Sequence, residues 1–439
     1  MFLRNIVLGS ITTIVLVSFN ANATTKDVEK KAGMEVGCVN EIRGGYDIGS
    51  GSTKLQIALV KVCENGKISI EKSFFKENAN VQYSAALIDD PLDSMKKILP
   101  DSIINTGYDA MLNLKRKGLE ALAEQCGSSC IVSNWRGIMT AAFRKAENWK
   151  VAQEKLSEVV PSLLIKRLSQ EEEALYGFYP VLKIQGVDPK NTVVWDMGGG
   201  STQITAFSKD FTISNDFSAS GVHVLETSIG SGTFEDVLRK FEDILITFEP
   251  TKNNNLRTFN PVDSKINIAK LYVKNELDKA KKNKEEISNK FFNLFVDNKK
   301  YYVIGGILSR SIPSIIKGSN SDYNVFNYDQ VTHSSVINPI CQDTINYSFN
   351  IVRNFSDNDL KKYAVEHDII SKKEVENEDN DSRYKSISSN LLLTKLYMES
   401  VLDINCISPI KIDGTDTLMI SPVFQNENYW KIDNASLRQ

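Results

Sequence analysis

The strongest constraint on this chain is a pair of segments built to one plan. Asp47-Ile48-Gly49-Ser50-Gly51-Ser52-Thr53-Lys54 and Asp196-Met197-Gly198-Gly199-Gly200-Ser201-Thr202-Gln203 each open on an aspartate, turn through glycines and hydroxyls, and run into apolar residues. That is the pattern of strand, tight turn, strand. Glycines let backbone N–H groups approach an anion, and the serine and threonine hydroxyls add donors. Three consecutive glycines cost conformational entropy, which a close approach would offset. An aspartate beside a phosphate makes sense when a divalent cation stands between the two anions. Neither segment is a Walker A loop, and no GxGxxG opens a helix. One such loop reads equally as a plain glycine hairpin, but two in one chain point to a phosphate clamp.

The loops lie about one domain length apart, too far for a solenoid repeat. With 439 residues, two domains are expected. Residues 44–62 and 192–208 read as strand–turn–strand, the first leading through a hairpin turn at 63–67 into another strand. Residues 301–313 read as strand, Gly305-Gly306, helix. Helical spacing predicts helices over 108–125 (Met111, Leu112, Leu114, Leu119, Leu122), 140–155, 170–181, 264–290 and 386–403. Short strands are expected at 130–133 and 165–168, a last one at 416–423, and an acidic loop at 374–381. Strand–glycine–strand units among helices argue for an α/β fold with a duplicated core.

A net charge of −3 and a pI near 5.9 do not suggest a nucleic-acid binder. Arg4, an apolar stretch over 6–19 and Ala21-Asn22-Ala23 have the form of a secretory signal peptide covering 1–23. The expectation is an exported, periplasmic or secreted protein, soluble after cleavage. Cys38, Cys63, Cys126, Cys130, Cys341 and Cys406 permit three disulfides in any of 15 pairings. Cys126 and Cys130 could close a small local loop. His223, His333 and His367 read as surface or packing residues, and the tryptophans as core. Ser228 to Gly232 reads as an ordinary loop.

Between the loops lies Glu171-Glu172-Glu173-Ala174. Three acids at a helix start complement the helix dipole. The alternative is a general base that activates water against a terminal phosphate.

Four motifs in order resemble the exopolyphosphatase and guanosine pentaphosphate phosphohydrolase (Ppx/GppA) family, within the actin, Hsp70 and sugar-kinase superfamily. They are the Asp47 loop, Thr140-Ala141-Ala142-Phe143-Arg144-Lys145-Ala146-Glu147-Asn148, the Glu171 segment and the Asp196 loop. Gly305-Gly306 resembles the superfamily's third glycine turn and implies a nucleotide pocket. The resemblance runs from about residue 44 to 310. It implies two RNase-H-like (actin-like ATPase) domains flanking a central cleft. The domains would span 24–170 and 171–385, with 386–439 returning toward the first. Glu173 would deprotonate the attacking water, with Glu172 as second candidate, and Arg144 would contact phosphate. Asp47 and Asp196 would hold Mg²⁺, or Ca²⁺ or Mn²⁺. Gly49, Ser50, Gly51, Ser52, Gly198, Gly199, Gly200, Ser201, Thr202 and Gln203 would line the phosphate track. The substrate would be polyphosphate or a nucleotide, and the chain could pair as a homodimer.

Two departures bear on the substrate. The family usually reads Ser-Asn-Ser in the first loop, where this chain has Ser50-Gly51-Ser52. It usually ends the second loop on glutamate, where this chain has Gln203. That glutamine and Glu172-Glu173-Ala174-Leu175-Tyr176-Gly177 are similar to the apyrases, which act largely outside the cytosol. An apyrase-like nucleotide hydrolase and a non-catalytic nucleotide- or polyphosphate-binding protein are the alternatives.

Overall fold

In a computed structural model the residues described are 37–64, 68–182, 187–213, 219–240, 263–282, 299–319, 334–336, 338–367, 369, 384 and 386–412. The signal segment, His333, Trp430, the acidic run and the strand expected at 416–423 lie outside them. The helix expected at 264–290 is described to Lys282.

The first part of the chain forms β1 (Cys38–Ile48), β2 (Ser52–Cys63), β3 (Ile68–Asn80), a separate hairpin of β4 (Ile88–Asp90) and β5 (Asp93–Ile98), and α1 (Asp101–Cys126). Then come β6 (Asn134–Met139), α2 (Ala141–Lys145), α3 (Trp149–Ser157), β7 (Leu164–Arg167) and α4 (Gln170–Leu182). The second part forms β8 (Thr192–Met197), β9 (Thr202–Ile213), β10 (Ala219–Thr227), α5 (Ser231–Lys240), α6 (Asp263–Lys282), β11 (Lys300–Ile304) and α7 (Ile312–Ser319). It continues through β12 (Ser334–Val336), β13 (Ile340–Cys341), α8 (Gln342–Val352), α9 (Asp357–Glu366), α10 (Ile387–Tyr397) and β14 (Cys406–Ile412).

The duplication is visible in the sheets. The first has order β3-β2-β1-β6-β7, and the second β10-β9-β8-β11-β14-β12 with β13 also on β14. In each, three antiparallel strands are extended by two parallel ones, β6 and β7 in the first and β11 and β14 in the second. Parallel neighbours need long crossovers, which the helices supply. Each sheet has its own hydrophobic core, with Tyr46, Leu55, Ile57 and Trp135 in one and Val193, Trp195, Ile204 and Val303 in the other. Two cores, each around a duplicated sheet, make two domains. Helix α1 lays Ile104, Met111, Leu114 and Leu122 against the first core. It approaches closely at Gly118, where a Cβ would stand 2.8 Å from Ile57 Cδ1.

Several sequence expectations are corrected. The strand expected at 130–133 begins instead at Asn134. Ile131 is 74% exposed, so its apolar character marks no buried strand. The helix expected over 140–155 breaks into α2 and α3. Asn148 sits in the break and bonds Leu99 through both its amide N and O, at 2.8 and 2.9 Å, drawing the chain out of helical register. Residues 387–412 do not return to the first domain. Leu391, Leu392, Leu393 and Leu396 of α10 are buried in the second core, and β14 pairs with β11. The cysteines pair as Cys38–Cys63, Cys126–Cys130 and Cys341–Cys406. Among the described residues, no helix is long and apolar enough to cross a membrane.

Candidate active site

Both aspartate-headed loops are hairpin turns with the same internal bond. Gly49 N donates to Ser52 O at 2.9 Å, and Gly198 N donates to Ser201 O at 3.0 Å. The registers match: Asp47 faces Lys54 across the first hairpin, and Asp196 faces Gln203 across the second. The turns meet where the two domains touch. A Cβ on Gly200 would stand 3.2 Å from Ser50 Oγ and 3.4 Å from the Ala141 Cβ. Between the turns lies a cavity of about 440 Å³. Gly49, Ser50, Gly51, Ser52, Gly198, Gly199, Gly200 and Ser201 line it, as do Asp47, Glu173, Asp196, Gly305 and Gly306.

The second loop is held from behind. The start of α5 donates Ser231 N to Gly198 O (3.0 Å) and Gly232 N to Gly199 O (2.9 Å). A trans peptide points its N–H opposite its C=O. Occupying these two carbonyls therefore aims the N–H groups of Gly199 and Gly200 away from α5. Gly230 makes the approach possible, since a Cβ there would stand 2.4 Å from Gly198 O. The segment 228–232, which the sequence suggests is an ordinary loop, is thus the brace of the clamp. Thr202 Oγ1 also ties back, donating to Ile229 O at 2.6 Å.

The three acids of α4 separate. Ser169 and Glu172 cap the helix, with Ser169 N donating to Glu172 Oε2 (2.9 Å) and Glu172 N donating to Ser169 Oγ (3.0 Å). Lys166 also bonds Glu172, at 2.5 Å. Glu171 is exposed. Only Glu173 reaches the cavity. Its partner is Arg144, from α2 of the first domain, with Nη1 2.5 Å from Oε2. Burial pushes the Glu173 carboxyl above the usual carboxylate range; the Arg144 guanidinium opposes this and Asp47 adds to it. Asp196 is pushed up to about 7, by burial first and then by the charges of Glu173 and Asp47, with Lys54 opposing.

Arg144, Thr202 and Gln203 are absent from the cavity lining. Arg144 acts through Glu173, Thr202 through its tie to Ile229, and Gln203 by donating to Ser201 Oγ at 3.0 Å. Two residues with no role in the sequence reading belong to the site. Lys54 lines the cavity and pairs with Asp47 at 3.1 Å. Lys145 reaches from α2 to Gly200 O at 3.1 Å. Lys54 was identifiable only through the strand register, and Lys145 only through domain contact.

Among the described residues, no cluster of three His, Cys, Asp or Glu could enclose a metal ion. The donor set instead fits Mg²⁺, which keeps its waters and binds through one or two carboxylates plus substrate phosphates. Asp196 and Asp47 both line the cavity, with Asp47 paired to Lys54 at 3.1 Å and Lys54 also acting on Asp196.

Residues 109–229 match the Ppx/GppA phosphatase family. Over that segment the chain is similar to a Ppx/GppA phosphatase domain. That segment contains Arg144, Glu173 and the whole second loop, but not Asp47. No curated protein matches the chain by sequence. Solved structures extend the likeness of the Ppx/GppA fold to both domains. A Ppx/GppA family member from Aquifex aeolicus superposes with a TM-score of 0.54 at 15% identity, over 89% of this chain and 99% of that one. An exopolyphosphatase from Cytophaga hutchinsonii gives 0.55 at 12% identity, over 87% and 98%. The fold is that of these two structures, a mixed α/β arrangement in two domains.

Proposed function

We propose that this protein hydrolyses phosphoanhydride bonds, releasing phosphate from polyphosphate or nucleotides, with Glu173 as the base. The observation that carries this reading is the placement of Glu173, which lines the cavity between the two glycine turns. Glycine-turn N–H groups and Lys54 bind the phosphate chain and neutralise its charge. A water beside Glu173 attacks the terminal phosphorus as the carboxylate takes its proton. The P–O bond to the penultimate phosphate breaks, and the leaving oxygen's charge is stabilised by loop donors. Positioning and charge neutralisation suffice for such a transfer. Mg²⁺ held by Asp196 and Asp47 would neutralise the oxygens of the phosphates.

The deciding experiment is phosphate release by the purified mature protein and by Glu173→Gln. Loss of about 10²–10⁴-fold with an unchanged melting temperature is expected. Full activity in the variant would remove Glu173 from the mechanism. Export accompanies this reading, supported by the N-terminal segment 1–23 and by three disulfides, which persist in oxidising compartments. A mature chain that retains Met1 would refute it.

A further inference from the structure

The second glycine turn is tied to the interior of its domain by a group of buried hydroxyls. Thr202 ends the turn, Thr227 ends β10, and the two are partners in the β9–β10 register. Cross-strand partners share one face of a sheet. Thr202 Oγ1 donates to Ile229 O, in the segment that braces Gly198 and Gly199. Tyr397, the last residue of α10, enters this group. Its hydroxyl lies 2.8 Å from Thr227 Oγ1 and is also bonded to Thr202. Its ring is fully buried and packs on Trp195, with centroids 5.3 Å apart. Burial pushes the hydroxyl up to about 12, against the two hydrogen bonds, so it keeps its proton.

These contacts reach the supports of the second-domain groups of the site. Trp195 precedes Asp196 on β8. Thr202 belongs to the turn itself. Thr227 O accepts from Gln170 Nε2 at 3.2 Å, and Gln170 opens α4 one turn before Glu173. Tyr397 is absent from the cavity lining, so it acts through these partners. A phenylalanine ring would fill the same space beside Trp195. What the hydroxyl adds is direction, since hydrogen bonds hold their partners in one geometry. Reacting groups must be held to within about 0.5 Å, and the residues behind them do the holding.

We propose that Tyr397 is a positioning residue for the hydrolysis, its hydroxyl fixing the second glycine turn relative to the helix that carries Glu173 by way of Thr227 and Thr202. The kinetic effect rests on the phosphohydrolase reading, but the positioning can be read without turnover. Tyr397→Phe removes the hydroxyl and keeps the ring. With inorganic tripolyphosphate as substrate, kcat should fall about 10- to 10²-fold, as for a displacement of about 1 Å, while KM changes by less than about twofold because the first turn and Lys54 still hold the phosphates. Removing one partner of a buried hydrogen bond strands the other, whereas removing both with their shapes kept is nearly neutral in stability. The Tyr397→Phe, Thr227→Val double variant should therefore regain melting temperature without regaining kcat. Tyr363→Phe is the control. Tyr363 is a buried tyrosine of the same domain whose hydroxyl donates to Ile315 O, away from the cavity lining, and this variant should keep wild-type kcat. Hydrogen exchange supplies the readout free of hydrolysis. Amides of 198–203 and 228–232 should exchange about tenfold faster in Tyr397→Phe and in the double variant, and at the wild-type rate in Tyr363→Phe. Should Tyr397→Phe fail to fold, the double variant carries the same readouts. A wild-type protein that releases no phosphate would end the phosphohydrolase reading alone, and exchange would then decide the positioning. Unchanged exchange over both segments, or kcat that recovers together with melting temperature in the double variant, overturns the role of Tyr397 and leaves the phosphohydrolase reading standing.

Discussion

Lys54 and Gln203 hold equivalent places in the two halves of the molecule and bond differently. Each faces the leading aspartate of its hairpin, Asp47 or Asp196. Lys54 pairs with its aspartate, whereas Gln203 turns to Ser201, and the charge that opposes the burial of Asp196 comes from Lys54 of the other hairpin. The duplicated fold has thus produced one aspartate paired across its own hairpin and one that is not. Removing Lys54 alone strands the buried charge of Asp47. Lys54→Met should destabilise more than the Lys54→Met, Asp47→Asn double variant, with a coupling of about 1–3 kcal/mol in a denaturation cycle. Strict additivity would show that the pair carries no energy.

Arg144 opposes the upward push that burial exerts on Glu173. Arg144→Met should raise the Glu173 pKa further. On the proposal that Glu173 is the base and works only when ionised, the acidic limb of the kcat/KM profile should move to higher pH. A limb that stays in place, or moves to lower pH, would show that Arg144 does not tune the base.

Asp196 carries a stability cost for its function. Its pKa rises from 3.8 unfolded to about 7 folded. The folded state therefore holds this proton more tightly. The stability contributed by the protonated form is complete below 3.8 and is lost as pH rises through about 7. Asp196→Asn removes the loss. Its gain over wild type in urea midpoint should be small at about pH 4 and reach on the order of 2 kcal/mol above about pH 7, after discounting for water in the cavity. Phosphate release should fall at every pH. A gain independent of pH would contradict the assignment.

Gly230 and Gly199 give a matched contrast. A Cβ on Gly230 would press on Gly198 O and Ser201 N at 2.4 and 2.5 Å, while one on Gly199 would meet nothing within 4 Å. Gly230→Ala should cost about 1–3 kcal/mol in thermal unfolding, and Gly199→Ala much less. Equal losses would mean that the brace behind the loop is not tight.

The two glycine turns and their aspartates were legible in the sequence because turn chemistry is local, whereas Glu173 stood out from its two neighbouring glutamates only through the family resemblance. The class of fold was legible too, since the same unit recurs. The start of β6 was misplaced because Ile131 and Val132 resemble a strand and only exposure shows otherwise. Lys54, Lys145 and the brace at 230–232 escaped because each acts through a partner fixed by register or by packing between distant segments. The fate of 386–412 was set by which sheet had an edge beside β11, a matter no local pattern encodes.

Two of the disulfides lie at the outer ends of their sheets. Cys38–Cys63 closes the first hairpin at the end opposite its glycine turn. Cys341–Cys406 ties the start of β14, which runs beside the start of β11, away from Gly305. Each closes a loop worth about 3–4 kcal/mol on chain-entropy grounds. These two covalent ties therefore hold the sheets at their far ends, while among the described residues the two glycine turns are joined across the cavity by contacts such as Arg144–Glu173 and Lys145–Gly200. Durability and responsiveness have been assigned to opposite ends of the same strands.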